Sequence, residues 1–300
     1  MRTRKKKLVS VLLMAALLLT ACGEKPLETV RTPVTQQLLP APPGENLTGN
    51  ALAVMDLSAT AEGYIQVCYN GQAQKAKVQL TLPDGTVYTY TLLPGAFAIL
   101  PLTGGSGDYG ITVLENAFEN AYAVVYTGQI PSQQENDFKP YLYPNQYVWY
   151  TEGSKVHAIA AEISQRSRDD LHFVENVYTY VVESVTYDHE LAANVPAEYL
   201  PDLDKVIATG KGICLDYAAL MTALLRSQGI PTKLVVGYSG QVYHAWISVY
   251  LEETGWVDGT IFFDGTTWSR MDPTLAAANR GPYVKDYDNN SGNYLEKYFY

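Results

Sequence analysis

Three side chains in the C-terminal half could act together in nucleophilic chemistry: the thiol of Cys214, the imidazole of His244 and the carboxylate of Asp272, 30 and then 28 residues apart. In such a set the sulfur attacks, the imidazole moves the proton, and the carboxylate orients the ring and fixes its tautomer. Gly210 and Gly212 break whatever precedes, apolar residues then recur at helical spacing, and Gly229 with Pro231 stops the pattern, so Cys214 is expected at a helix N-terminus. Free backbone N–H groups and the positive end of the helix dipole favour a thiolate there, and the same groups can hold a tetrahedral oxyanion. Lys233 to Tyr238 reads as a strand and His244 opens the next one. Alternation puts Trp246, Ser248 and Tyr250 on the face of His244, where Trp246 can shield the imidazole from water. A third strand, from Trp268, is expected to end at Asp272, with Pro273 enforcing the exit.

Gly-x-Cys-x-Asp-Tyr-Ala opening a helix, Gly-Ile-Pro closing it, His-Ala-Trp on a strand and then Asp-Pro-Thr occur in this order over about half of the chain. In that order they resemble the transglutaminase-like superfamily. The resemblance implies an α+β fold whose papain-like core packs a helix bundle on an antiparallel sheet. It also implies Cys214 as nucleophile, His244 as general base and acid, and Asp272 as orienter. A side-chain oxyanion donor is expected upstream of Cys214, with Tyr187 as the candidate. No metal or other cofactor is implied, because the scattered His and Cys have no ligand spacing and thiol acyl transfer needs none.

Other residues compete for these roles. Asp258 and Asp264 are alternative orienters, but each precedes a glycine in a turn-like context that favours a loop role. Asp216, two residues into the helix, is expected to complement its dipole. Cys68 reads as an inert residue on the more polar face of a strand, and a Cys68–Cys214 disulfide would consume the nucleophile. His157, His172 and His189 fall in or after early helices and are expected to serve packing or surface roles.

The elements that must position the triad begin with a helical stretch. In the domain expected over 151–300, Ser154 should cap one amphipathic helix (Val156, Ile159, Ala160, Ile163) and Asp170 a second (Leu171, Val174, Tyr178, Val181, Val185). Residues 136–150 form a linker, and its stretch from Pro140 to Tyr150, with two prolines and five aromatics, should pack against a domain. Over 51–135, short alternating runs (64–70, 75–82, 86–92, 109–114 and 121–126) predict a small all-β sandwich, with Asp84-Gly85 as a hairpin turn. Residues 22–50, rich in Pro, Gln, Thr and Gly, read as a flexible tether. Residues 1–21 combine basic residues, an apolar run from Leu8 to Leu19 and small residues, the pattern of a secretory signal. Leu19-Thr20-Ala21-Cys22 resembles the bacterial lipobox, which makes Cys22 the expected lipidated residue and the membrane anchor.

The signal holds five of the 21 Lys and Arg and none of the 31 Asp and Glu, leaving 16 basic against 31 acidic residues, a net charge of −15. So acidic a surface repels phosphate backbones, and nucleic acid is excluded as an expected partner. The expected protein is therefore extracytoplasmic and held at a bacterial membrane through Cys22. Its expected partner is a protein or peptide substrate, cell-wall peptides included. Three functions remain open on the residues: a cysteine peptidase or amidase, a protein-glutamine transglutaminase, and a non-catalytic cell-surface binding module. The resemblance to secreted bacterial members favours the first.

Overall fold

A computed structural model describes residues 30–252, 254–258, 262–263, 268–269 and 294–300. Its first part is a sandwich of two four-stranded antiparallel sheets. One has the order β1 (Leu47–Gly49), β2 (Ala53–Asp56), β3 (Tyr64–Tyr69), β6 (Phe97–Pro101). The other has the order β5 (Val87–Leu92), β4 (Ala76–Thr81), β7 (Gly107–Phe118), β8 (Ala121–Ser132). The expected alternation holds in β4, where Ala76, Val78 and Leu80 are buried and Lys77, Gln79 and Thr81 are not. Asp84-Gly85 makes the hairpin between β4 and β5, with Gly85 at φ +89° and the Thr86 N–H donating to Asp84 Oδ1 at 2.8 Å.

β3 departs from the expected half-polar strand, because all six of its residues are buried. Its inner side chains, Ile65, Val67 and Tyr69, join the sandwich core. Its outer side is covered by chain from both ends: the Ala41 N–H donates to Tyr64 Oη at 3.1 Å, Gln66 Nε2 donates to the Ala41 carbonyl at 3.0 Å, and Leu142 and Tyr143 pack on Tyr64. Cys68 is therefore buried rather than on a polar face.

The described part of the 22–50 segment is likewise docked rather than free. Arg31 carries it: the guanidinium donates to Asp170 Oδ1 at 2.6 Å, to Ser164 Oγ at 2.9 Å and to the Gln228 carbonyl at 2.6 Å, and it lies 4.6 Å from the centroid of Phe173. Further on, the Gly44 N–H donates to Asp56 Oδ2 at 2.7 Å before β1 joins β2. Composition suggested freedom, but a guanidinium with many donors and a stacking face can dock a short segment once acceptors converge on it.

The connecting segment packs as expected, through one 3-10 turn at Lys139–Tyr141, with Tyr141, Tyr143 and Tyr150 buried. After it come α1 (Lys155–Gln165) and α2 (Asp170–Ser184). Ser154 is the residue before α1, but the cap of α2 is Asp169, not Asp170: Asp169 Oδ1 accepts the His172 N–H at 2.8 Å. Asp170 instead enters the first turn and pairs with Arg31. Next are β9 (Thr186–Tyr187), α3 (His189–Ala193), α4 (Leu203–Thr209), β10 (Lys211–Gly212) and α5 (Cys214–Arg226). β11 (Thr232–Ser239) and β12 (Val242–Leu251) form the middle of an antiparallel sheet flanked by β13 (Gly255–Asp258) and, past the short pair β14 (Phe262–Phe263) and β15 (Trp268–Ser269), by β16 (Tyr294–Phe299). α5 packs on β11 and β12 and against α1 and α2, so a helix layer covers an antiparallel sheet. This is the expected α+β core behind a β-sandwich.

Two features join the halves. Tyr88 and Tyr90 of β5 meet Tyr300, with centroids 5.4 and 6.0 Å away, Tyr147 lies 4.1 Å from Tyr300, and Tyr88 Oη accepts the Phe299 N–H at 3.0 Å. Arg226 ends α5 inside the protein, 1% exposed. It donates to the carbonyls of Thr232 (2.9 and 2.7 Å), Tyr143 (2.6 Å) and Tyr300 (2.5 Å). Burial lowers its pKa to about 10, so it stays charged at neutral pH.

Candidate active site

Cys214 is the first residue of α5, as the glycine and apolar pattern implied. The approach to it is set by two short strands in parallel: Thr186 faces Lys211 and Tyr187 faces Gly212. The Thr186 N–H donates to the Gly210 carbonyl at 2.8 Å and the Asp188 N–H to the Gly212 carbonyl at 2.9 Å. Gly210 makes this entry possible, ending α4 in the left-handed region at φ +62°. Tyr187, the sequence candidate for an oxyanion donor, is thus held in register with a residue two before the sulfur.

Asp216 has a more specific place than dipole compensation. It is fully buried, and its Oδ2 accepts the Ile213 N–H at 2.8 Å, so the third residue of the helix caps its start. Tyr199 donates to the same carboxylate at 2.9 and 3.0 Å. Burial raises the Asp216 pKa against the pull of these hydrogen bonds.

His244 lies on β12, the strand on which α5 packs, and is 8% exposed. The strand begins two residues earlier than expected, at Val242. The Trp246 ring stacks beside the imidazole with centroids 6.3 Å apart and planes 29° apart, and is itself 1% exposed. Tyr294 meets Trp246 edge-on, with ring centroids 5.1 Å apart. Across the ladder from His244 is Gly237, where a Cβ would stand 2.1 Å from the Leu295 carbonyl and 3.0 Å from Trp246, so a side chain at this position would push β16 away from β11 and crowd the indole.

Cys214 is partly exposed and Cys68 buried, and both are free thiols, so the disulfide alternative is not formed. Burial raises the Cys68 pKa, which suits an inert residue. Tyr243, which sequence reasoning did not single out, precedes His244 on β12. Its pKa is raised mainly by burial, with the tyrosines around it and Cys214 adding to the effect. It pairs across the ladder with Tyr238, ring centroids 5.4 Å apart. Among 24 tyrosines nothing local marks Tyr243 or Tyr199.

Asp272, Asp264 and Cys22 lie outside the described residues. Asp258 ends β13 opposite Ser248 rather than standing in a turn. His157 is a packing residue, with Nε2 3.0 Å from the Thr151 carbonyl, and burial lowers its pKa. His172 Nδ1 accepts the Arg168 N–H at 3.3 Å, and His189 is exposed beside Tyr187. Among the described residues no three His, Cys, Asp or Glu side chains stand together as a metal site, and no helix is long and apolar enough to cross a membrane.

A thiol opening a helix that packs on the strand of a buried histidine is the arrangement the motifs implied, and residues 157–273 match the family model of the transglutaminase-like superfamily. These residues form a transglutaminase-like domain. The protein YebA of Bacillus subtilis (strain 168), itself uncharacterized, is 32% identical over 101 residues, covering 27% of this chain and 13% of YebA. The kyphoscoliosis peptidase of Mus musculus is 27% identical over 111 residues, covering 33% of this chain and 17% of the peptidase. The chain thus spans less than a fifth of either relative. A solved structure of a TGase is 25% identical, with a TM-score of 0.30 over 39% of this chain and 33% of that one. Residues 157–273 thus match a family model of thiol-enzyme type, over less than half of the chain.

Proposed function

We propose that the protein is an extracytoplasmic cysteine peptidase or amidase, anchored at the membrane through a lipidated Cys22, with Cys214 as nucleophile, His244 as general base and acid, and Asp272 as orienter. The Cys214 thiolate adds to an amide carbonyl, His244 protonates the leaving amine as the C–N bond breaks, and water then cleaves the thioester with His244 taking its proton. Tyr187 and the first N–H groups of α5 are the groups offered to the oxyanion. The observation that carries this reading is Cys214 as the first, partly exposed residue of a helix packed on the strand that bears the buried His244.

The test incubates the mature protein with a glutamine-rich protein and a fluorescent primary amine, and follows fragmentation and amine incorporation together. Fragments without incorporation support the hydrolase. Incorporation without fragments replaces it with a transglutaminase, and neither product, with Cys214 intact, leaves a binding module.

A further inference from the structure

Asp216 is a fully buried carboxylate that the proposed reaction does not use. It is gripped from two directions, by the Ile213 N–H at 2.8 Å and by the Tyr199 hydroxyl at 2.9 and 3.0 Å. Tyr199 belongs to the segment 194–202 that links α3 to α4. That segment is itself held: Glu198 takes a left-handed backbone, φ +62°, and pairs with Lys77 of β4 at 2.9 Å. A strained non-glycine conformation persists where its surroundings over-determine it. On the other side, a Cβ on Gly212 would stand 2.6 Å from the Asp216 Cβ, so the carboxylate lies hard against the residue two before the sulfur.

We propose that Tyr199 and Asp216 form a positioning pair for Cys214, a role that rests on the reading of Cys214 as nucleophile. Asp216 occupies the Ile213 N–H and so fixes the residue at which α5 begins. The N–H groups of Cys214 and Leu215 are then the ones the first turn leaves to the thiolate and the oxyanion. Tyr199 keeps the carboxylate in that place and, through Glu198 and Lys77, ties the start of the nucleophile helix to the β-sandwich. The charged and titratable groups around the pair are Asp188, Asp202 and Lys205, with Tyr243 and His244 on the strand facing α5.

The experiment measures the rate of iodoacetamide capture of Cys214 against pH by peptide mass spectrometry, in the full protein and in Tyr199→Phe, Asp216→Ala and Asp216→Asn, with Cys68 as internal reference. Tyr199→Phe removes one hydroxyl from a half-buried ring and should fold. Its capture midpoint should rise by about one pH unit, a tenfold slower reaction below the midpoint, and Asp216→Ala should do the same or more. Asp216→Asn keeps an acceptor for the Ile213 N–H and should not raise the midpoint. A loss of packing alone would lower the melting temperature and leave the midpoint in place. A Tyr199→Phe midpoint equal to or below that of the unaltered protein overturns the positioning pair while leaving the nucleophile. Capture of Cys214 no faster than Cys68 in the unaltered protein overturns the nucleophile, and the pair with it.

Discussion

Replacing Arg226 by Met is a direct test of how the two halves are held. The guanidinium is 1% exposed and serves three carbonyls, from the connecting segment (Tyr143), the start of β11 (Thr232) and Tyr300. Leaving the buried Tyr143 and Thr232 carbonyls without this donor costs about 1–3 kcal/mol each, whereas the Tyr300 carbonyl keeps the Leu234 N–H at 2.9 Å. Removing the cation also relieves its desolvation, which in a protein is still several kcal/mol. The two terms oppose each other, and the lost hydrogen bonds together with the lost packing of the arginine stem are expected to outweigh the relieved desolvation by about 3–4 kcal/mol. Part of this is recovered because Met fills most of the space, so the expected loss is about 3 kcal/mol. Urea unfolding followed by tryptophan fluorescence reads it as a lower midpoint at unchanged slope. Arg226→Lys, with three donors on one nitrogen in place of a planar fork, should fall between the two proteins. If Arg226→Met stays within about 1 kcal/mol of the parent, water or other donors reach these carbonyls and the network does not hold the halves together.

Iodoacetamide at neutral pH should label Cys214 at least about a hundredfold faster than Cys68, which is buried and has a raised pKa, and equal slow labelling on peptide mapping would remove the activated thiol. Asp272→Asn should lower turnover by up to ~10⁴-fold with the circular dichroism spectrum retained, while Asp258→Asn and Asp264→Asn change it little. Loss of activity in either of those two, with Asp272→Asn near the parent, reassigns the orienter. Cys22→Ala should move the protein from the membrane fraction to the medium or leave it unprocessed, and unchanged fractionation with a lipid-free N-terminus by mass spectrometry counts against the anchor.

What the sequence by itself determined is local. The helix start at Cys214 is written in Gly210, Gly212 and the apolar spacing that follows, and the β4–β5 turn in Asp84-Gly85, because conformational signals of this kind act over a few residues. Order along the chain then made four weak motifs into one family. Other features were decided only when distant segments met. Arg31 reaches Asp170 across 139 positions and turns part of an expected tether into a docked segment. The Phe299 N–H finds Tyr88 across 211 positions, placing β16 at the junction of sandwich and core. Cys68 became a buried residue because chain from both flanks covers the outer face of β3. Asp216 changed from a dipole partner to a buried cap, and Tyr199 came to it from a loop with no motif. A hydrogen bond between distant segments is specified by the shape of the whole fold, which leaves no periodic trace around either residue.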